Sequence, residues 1–154
     1  MWKLWETGSG FGGECMRQVL KEFVVNTGHE MDVIDITDRI EALLHETGMK
    51  NGIVNVFVQG STAAISTIEY EDGLVRDLHT ALERVAPTNA HYAHHLKWHD
   101  DNGRSHIRAT LIGPSITVPF HEGRLLTGTW QQVVLIELDT RGRRRIVYVS
   151  ITGD

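Results

Sequence analysis

Two apolar segments near the C-terminus constrain the fold of this chain more than any other feature. They read QQVVLIELD (131–139) and RIVYVSITG (145–153), and only the five residues TRGRR (140–144) separate them. Runs of β-branched and other apolar residues of this length are typical of β-strands. Gly142 is suited to a tight turn between them, so the pattern predicts a β-hairpin. A sheet with at least one covered face is therefore required.

Four further segments carry the composition of strands. They are residues 16–27, 52–61, 63–70 and 106–113, the last of which begins at His106. Counted with the C-terminal pair, the tally is six or seven strands.

Two segments have a helical period instead. In residues 32–48, Ile40, Leu43 and Leu44 share one helix face, Thr37 or Asp38 is suited to the N-cap, and Gly48 is suited to the end. The other predicted helix lies in the segment 71–87 and stops before Pro87. Strands grouped in runs beside two helices indicate an α+β fold, with a mixed, largely antiparallel sheet on which the helices pack. We expect one compact domain over residues 16–154, preceded by an N-terminal extension, residues 1–15.

Composition and charge narrow the class of protein. The 154 residues are 41% hydrophobic and 23% charged, as in ordinary globular domains. Fifteen Lys and Arg against twenty Asp and Glu give a formal net charge of −5, so we expect no nucleic-acid and no membrane partner. Cys15 is the only cysteine, which precludes an intrachain disulfide and favours a reducing compartment. With no signal peptide recognised, we expect a cytoplasmic protein.

A histidine-rich window is the first candidate functional site. Residues 91–109, HYAHHLKWHDDNGRSHIRA, hold five of the nine histidines. Imidazoles with nearby carboxylates can ligate a divalent metal, although the spacing matches no standard zinc motif. His94 and His106 are the better candidates, whereas His91 and His99 are expected at the surface. The alternative is a solvated loop with one or two structural histidines.

Other polar motifs allow two interpretations each. Ser61 and Thr62, in QGSTAAISTIE (59–69), could hold a phosphate or merely form a tight turn. Glu69 and Asp77 could act as metal ligands or bases, or be solvated carboxylates. The arginine-rich run RGRRR (141–145) could bind anions, but an exposed turn is the favoured interpretation.

The segment LIGPSITVPFHEGRLLTGTWQQVVLIE (111–137) resembles the YjbQ-like family, called secondary thiamine-phosphate synthase. The resemblance extends over about residues 16–153. It rests on an ordered set of residues: Gly113, Ser115, Pro119, Gly123, Gly128, Thr129, Trp130 and Gln131.

This resemblance implies a homotrimer that joins hydroxymethylpyrimidine diphosphate to thiazole phosphate and releases pyrophosphate. The matching polar residues are Ser61, Thr62, Glu69, Asp77, His94, Asn102, His106, Ser115, Trp130 and Gln131. Two positions depart from the family pattern: Gly60 and Arg104 stand where many members have histidine. Fewer imidazoles weaken a metal site, with His95 as a replacement candidate, and Arg104 favours an anionic ligand.

These residues give a set of expected roles. His94 and His106 would bind a divalent metal (Zn²⁺ or Mg²⁺) or pyrophosphate oxygens, and Arg104 would bind a phosphate. Glu69 and Asp77 would hold Mg²⁺ or orient these groups. Substrate would also contact Ser61, Thr62, Ser115, Trp130 and Gln131. No organic cofactor is implied. The alternatives are a non-catalytic trimer that binds a metal or metabolite, a metal-dependent hydrolase, and a purely structural trimer.

Overall fold

The computed structural model describes residues 16–154, which form eight strands and four helices. The strands are β1 (Arg17–Asn26), β2 (Val33–Asp35), β3 (Asn51–Val58), β4 (Ala63–Ile68), β5 (Ser115–His121), β6 (Arg124–Leu125), β7 (Gln132–Glu137) and β8 (Arg144–Gly153). The helices are α1 (Thr37–Thr47), α2 (Asp72–Val85), α3 (His95–Trp98) and α4 (Gly103–Ile112). The predicted N-terminal extension, residues 1–15, lies outside the described residues.

The strands form two sheets, and every strand pairing found in residues 16–154 is antiparallel. One sheet has the order β1-β8-β3-β5-β6 and the other the order β2-β7-β4. Along β8 the side chains alternate, so that Val147, Val149 and Ile151 are buried. They pack with Val54, Val56 and other apolar residues from both sheets and α1 into the main hydrophobic core. The predicted α+β class and the antiparallel pairing are confirmed.

The predicted C-terminal hairpin is wrong, because β7 and β8 belong to different sheets. The connection between them is held by Thr27, just beyond β1. The Thr27 amide donates to the Arg143 carbonyl at 2.9 Å, and the Arg143 amide donates to Thr27 Oγ1 at 2.7 Å. At Gly142 an added Cβ would lie only 2.3 Å from the Thr27 carbonyl oxygen. The glycine therefore allows close backbone contact while the chain crosses between sheets.

The two predicted helices are present. In α1, Ile40 and Leu44 are fully buried, and Gly48 ends the helix in the left-handed conformation at φ 68°. The predicted cap differs, since Asp35 Oδ1 accepts the Thr37 amide at 2.9 Å before the helix begins. In α2, the Glu71 side chain accepts the first free amides.

The predicted strand 106–113 is wrong, because this segment belongs to α4. The buried face of α4 includes Arg104, Ser105, Arg108 and Ala109. Successive members of this set are one, three and one residues apart, as on one face of a helix. The apolar residue Ile107 is exposed instead. Arginines therefore take the positions that apolar residues normally occupy, which conceals the helical period.

Membrane insertion through a helix finds no support in residues 16–154. None of their helices combines the length and hydropathy needed to span a bilayer.

Candidate functional site

A small pocket brings together two residues predicted from distant parts of the sequence. Ser61 lies in the turn between β3 and β4, and His106 lies on α4. The cavity between them, here called the Ser61–His106 pocket, has a volume of about 170 Å³. Its lining residues are Gly60, Ser61, Ala63, His106, Ala109, Thr110 and Pro114.

His106 is also in contact with the other favoured histidine. The ring centroids of His94 and His106 are 4.6 Å apart, with an angle of 54° between the ring planes. His94 Nε2 lies 3.6 Å from Asp100 Oδ1. When the Asn102 amide nitrogen faces these groups, it donates to His94 Nε2 at 3.2 Å and to Asp100 Oδ1 at 3.0 Å. This orientation satisfies both partners, and it leaves His94 Nε2 as an acceptor.

The loop before α4 holds Asp100 and Asn102 in place through unusual backbone geometry. His99 and Asp101 have positive φ values of 55° and 52°. Arg104 Nη1 donates to the Asp101 carbonyl at 2.8 Å, and the Gly103 amide donates to His95 Nε2 at 3.3 Å. His95 therefore accepts a hydrogen bond from the backbone at the start of α4. His91 and His99 are exposed, as predicted.

Arg104 is engaged in an ion pair away from the Ser61–His106 pocket. Its Nε and Nη2 atoms each donate at 2.8 Å to a carboxylate oxygen of Glu30. This hydrogen bonding raises the pKa of Arg104 above its ordinary value. Arg108, one turn further along α4, donates to Glu30 at 3.2 Å and also pairs with Glu83. Each of the three guanidinium nitrogens of Arg104 donates one hydrogen bond within the protein, which favours a role in holding α4.

The remaining predicted residues occupy several separate places. Gln131 lines a second cavity of about 250 Å³, where its Nε2 donates to Thr67 Oγ1 at 3.2 Å. Trp130 is 72% exposed, and Ser115 is exposed on β5. Neither lines the Ser61–His106 pocket.

Glu69 and Asp77 are both exposed. Neither carboxylate forms an ion pair within residues 16–154. Thr62, by contrast, is buried and hydrogen-bonded to Arg145 and Asp139.

A buried charged network next to Thr62 was missed by the sequence analysis. Glu137 is fully buried and accepts hydrogen bonds from Arg145 and from the Thr27 hydroxyl. Asp139 is paired with Arg143, Nη2 to Oδ2, at 2.7 Å. Burial alone would raise the pKa of Asp139, but hydrogen bonds from Thr140 and Arg143 outweigh it and lower the pKa.

The signal for this network was the placement of charges at every second position. Glu137 and Asp139 end an apolar run, and Arg143 and Arg145 begin the next one. The favoured interpretation of the arginines, an exposed turn, is wrong for Arg145, which is buried.

The described residues do not converge on a metal site. Residues 16–154 contain no group of three or more His, Cys, Asp or Glu side chains placed to share one ion. His94 and His106 supply two nitrogens, and Asn102 is positioned to donate to one of them. This donor set does not fit a four-coordinate zinc site within one chain. A metal at His94 and His106 therefore stays a prediction.

A larger cleft is lined by none of the predicted site residues. It has a volume of about 750 Å³ and lies between the end of α1 and the β5–β6 turn, where Lys50 and Arg124 contribute to its lining. The Gly123 amide in that turn donates to the Lys50 carbonyl at 2.9 Å. A large volume alone therefore does not identify this cleft as the candidate site.

Two antiparallel sheets with a small pocket between the β3–β4 turn and α4 define the class: a small α+β protein with a candidate site beside a sheet edge. The model of the YjbQ-like UPF0047 protein family matches residues 21–154. The chain belongs to the YjbQ-like UPF0047 family.

Relatives and solved structures agree with this membership. A UPF0047 protein of Methanothermobacter thermautotrophicus is 40% identical over 141 residues, covering 92% of this chain and 96% of its own. The protein YugU of Bacillus subtilis is 32% identical, covering 88% of this chain and 100% of its own. A crystal structure from Sulfolobus solfataricus, described as a protein of unknown function, has a TM-score of 0.86 and 36% identity. That match covers 91% of this chain and all of the other.

Proposed function

We propose that this chain binds a phosphorylated small molecule at the Ser61–His106 pocket. The observation that carries the proposal is the convergence of a hydroxyl and an imidazole on one cavity. Ser61 is exposed, and its hydroxyl makes no hydrogen bond found among residues 16–154, so it is free to donate to a ligand. Hydroxyl and imidazole N–H donors grouped in this way suit phosphate oxygens.

The size of the pocket restricts what one chain can hold. Ligand pockets commonly have volumes of about 300–1,000 Å³, whereas this one has about 170 Å³. It matches a phosphate group better than a complete substrate pair. The rest of the ligand must then contact another surface, and in our proposal a neighbouring subunit provides it.

Such a subunit is supported by the outer face of the five-stranded sheet. Leu20, Ile53 and Phe57 project from this face and are exposed. Leu20 on β1 and Asn55 on β3 are both paired with Ser150 of β8, which places them in one row across the sheet. These apolar side chains lie on one face of the sheet, on strands β1 and β3 that flank β8. Exposed apolar side chains that share a face are typical of protein interfaces. We propose that this face joins three copies of the chain.

The finer proposal is a thiamine-phosphate synthase reaction, in which a pyrimidine carbon loses pyrophosphate and a thiazole nitrogen attacks it. This chemistry depends on holding two substrates and stabilising the departing charge. The paired rings of His94 and His106 support it, because His106 lines the pocket and its ring contacts that of His94. Glu69 and Asp77 would hold a hydrated Mg²⁺, for which exposed carboxylates are suited.

The test is product formation by the purified protein. We expect the wild type to form thiamine phosphate and pyrophosphate from the two phosphorylated substrates with Mg²⁺. The double variant His94→Ala, His106→Ala should lose about a hundredfold or more in rate. His91→Ala is the matched control, since that histidine is exposed. Absence of product from the wild type, or an unchanged rate in the double variant, would overturn the synthase proposal.

One observation favours a second candidate, a non-catalytic binding protein. No hydrogen bond joins Ser61 to His106, so the pocket lacks a nucleophile activated by a base. This candidate predicts saturable binding of a metal or phosphorylated metabolite without turnover. Elemental analysis of the wild type and of the His94→Ala, His106→Ala double variant distinguishes a metal ligand from a metabolite. About one metal ion per chain in the wild type, absent from the double variant, would indicate a metal ligand.

A further inference from the structure

Arg145 is a buried arginine, and one of its guanidinium nitrogens donates no hydrogen bond among the described residues. Only 7% of its surface is exposed. Its Nε donates to Glu137 Oε2 at 2.8 Å, and its Nη2 donates to Glu137 Oε1 and, at 2.9 Å, to Thr62 Oγ1. Among the described residues, Nη1 donates no hydrogen bond. The guanidinium is thus anchored on one side and has two N–H groups available on the other.

The free nitrogen is not sealed inside the protein. Within residues 16–154, Ser105 Oγ is the one fully buried side-chain nitrogen or oxygen atom that has no hydrogen-bond partner. Nη1 therefore keeps some access to solvent although the rest of Arg145 is buried. A charged donor in this state gains more from an anionic partner than an exposed arginine would, since it is already ordered and partly desolvated.

Gly60 is close to this nitrogen and also borders the Ser61–His106 pocket, whose lining does not itself include Arg145. A Cβ added at Gly60 would lie 2.8 Å from Arg145 Nη1. The nitrogen hence occupies the space into which a side chain at position 60 would project. Gly60 also lines the pocket, and its φ is +136°. The glycine allows the guanidinium to approach the backbone immediately before Ser61.

We infer that Arg145 Nη1 contacts the anionic group of the ligand in the Ser61–His106 pocket. This inference rests on the proposed function and specifies it: the group held there is a phosphate or pyrophosphate, recognised by a guanidinium together with Ser61 and His106. It assigns to Arg145 the phosphate contact that the sequence had suggested for Arg104. The difference follows from their partners, because Arg104 has no nitrogen left over.

The direct test is an NMR titration of the wild-type protein with pyrophosphate, following the guanidinium signals of Arg145 and Arg104 and the imidazole signals of His106. We expect the signals of Arg145 and His106 to shift together in a saturable manner while those of Arg104 stay in place. Shifts at His106 without shifts at Arg145 would overturn this inference and leave the proposed function standing. No saturable shift at either residue would overturn both.

A variant supplies an independent measurement. Gly60→Ala keeps every charge but places a methyl group against Nη1, so we expect pyrophosphate affinity to fall about tenfold. Gly48→Ala is the matched control, because Gly48 also has a positive φ, 68°, with no atom within 4 Å of an added Cβ. Equal affinity in folded Gly60→Ala and Gly48→Ala proteins would contradict the assignment. If Gly60→Ala does not fold, the wild-type titration decides.

Discussion

Arg104 and Glu30 form a two-point ion pair in which each carboxylate oxygen accepts one hydrogen bond of 2.8 Å. Arg108 donates to the same carboxylate at 3.2 Å, so Glu30 binds two arginines one turn apart on α4. The side chains of both arginines are almost completely buried. Glu30 therefore fixes α4, and with it His106, relative to the sheets.

Removing that carboxylate should destabilise the fold strongly. Glu30→Gln leaves the buried Arg104 guanidinium without its carboxylate partner, while Arg108 keeps Glu83. An uncompensated buried charge costs about 3–5 kcal/mol. We expect the free energy of unfolding, measured in urea, to fall by an amount in this range. Glu41→Gln is the control, since Glu41 is exposed on α1 and forms no ion pair among residues 16–154. Equal stability of the two variants would show that Glu30 does not hold α4.

Glu83 should make stability depend on pH in the acid range. Hydrogen bonds from the Thr88 hydroxyl and amide, together with Arg108, lower the pKa of Glu83 from 4.5 to about 2. The folded protein thus keeps this carboxylate charged at a lower pH than the unfolded chain does. Its stabilising contribution is complete above about pH 4.5 and disappears as the pH falls towards 2.

The comparison that isolates this effect is wild type against Glu83→Gln. We expect the difference in their free energies of unfolding, from urea titrations across pH, to stay constant above pH 4.5 and to narrow below it. A difference that is independent of pH down to about 2 would refute the role of the Glu83 carboxylate.

Ser105→Ala should leave stability unchanged or increase it by up to about 1–3 kcal/mol. The Ser105 hydroxyl is fully buried on α4 and has no hydrogen-bond partner among residues 16–154. Alanine removes this unsatisfied group and also has the higher helix propensity. Thermal unfolding of both proteins checks the result, and a clear loss of stability would mean that the hydroxyl has a partner, such as a buried water.

Disrupting the outer face of the five-stranded sheet should dissociate the proposed trimer. Phe57 projects from this face between Tyr148 and Ser115 of the neighbouring strands. Phe57→Asp would bury a carboxylate at the interface, so we expect a shift from three chain masses to one in analytical ultracentrifugation. Thr80→Asp on the exposed side of α2 adds the same charge as a control. A wild type that sediments as a monomer would rule out the trimer.

The sequence predicted the elements whose local pattern agrees with their burial. Ile40 and Leu44 share the buried face of α1, and Gly48 ends it as expected. The period of α4 could not be recognised in the same way. Its inward positions include Arg104 and Arg108, whose burial depends on Glu30, a residue more than 70 positions earlier in the chain.

The candidate site was predictable only in part for the same reason. Ser61 and His106 were identified by residue type, and the fold brings them to one cavity. The position of Arg145 depends on Glu137 and Thr62, which lie in the other sheet or just before it. A run of arginines carries no local mark that one of them is buried. The burial of Arg145 depends on its ion pair with Glu137 rather than on any pattern within the arginine-rich run.

The most direct test of the central claim is a calorimetric measurement of pyrophosphate binding to three proteins. They are the wild type, the double variant that carries both Ser61→Ala and His106→Ala, and the control variant His91→Ala. We predict saturable binding to the wild type and the control, with affinity at least about tenfold weaker in the double variant. Absence of saturable binding to the wild type, or equal affinity in all three proteins, would contradict a phosphate site at the Ser61–His106 pocket.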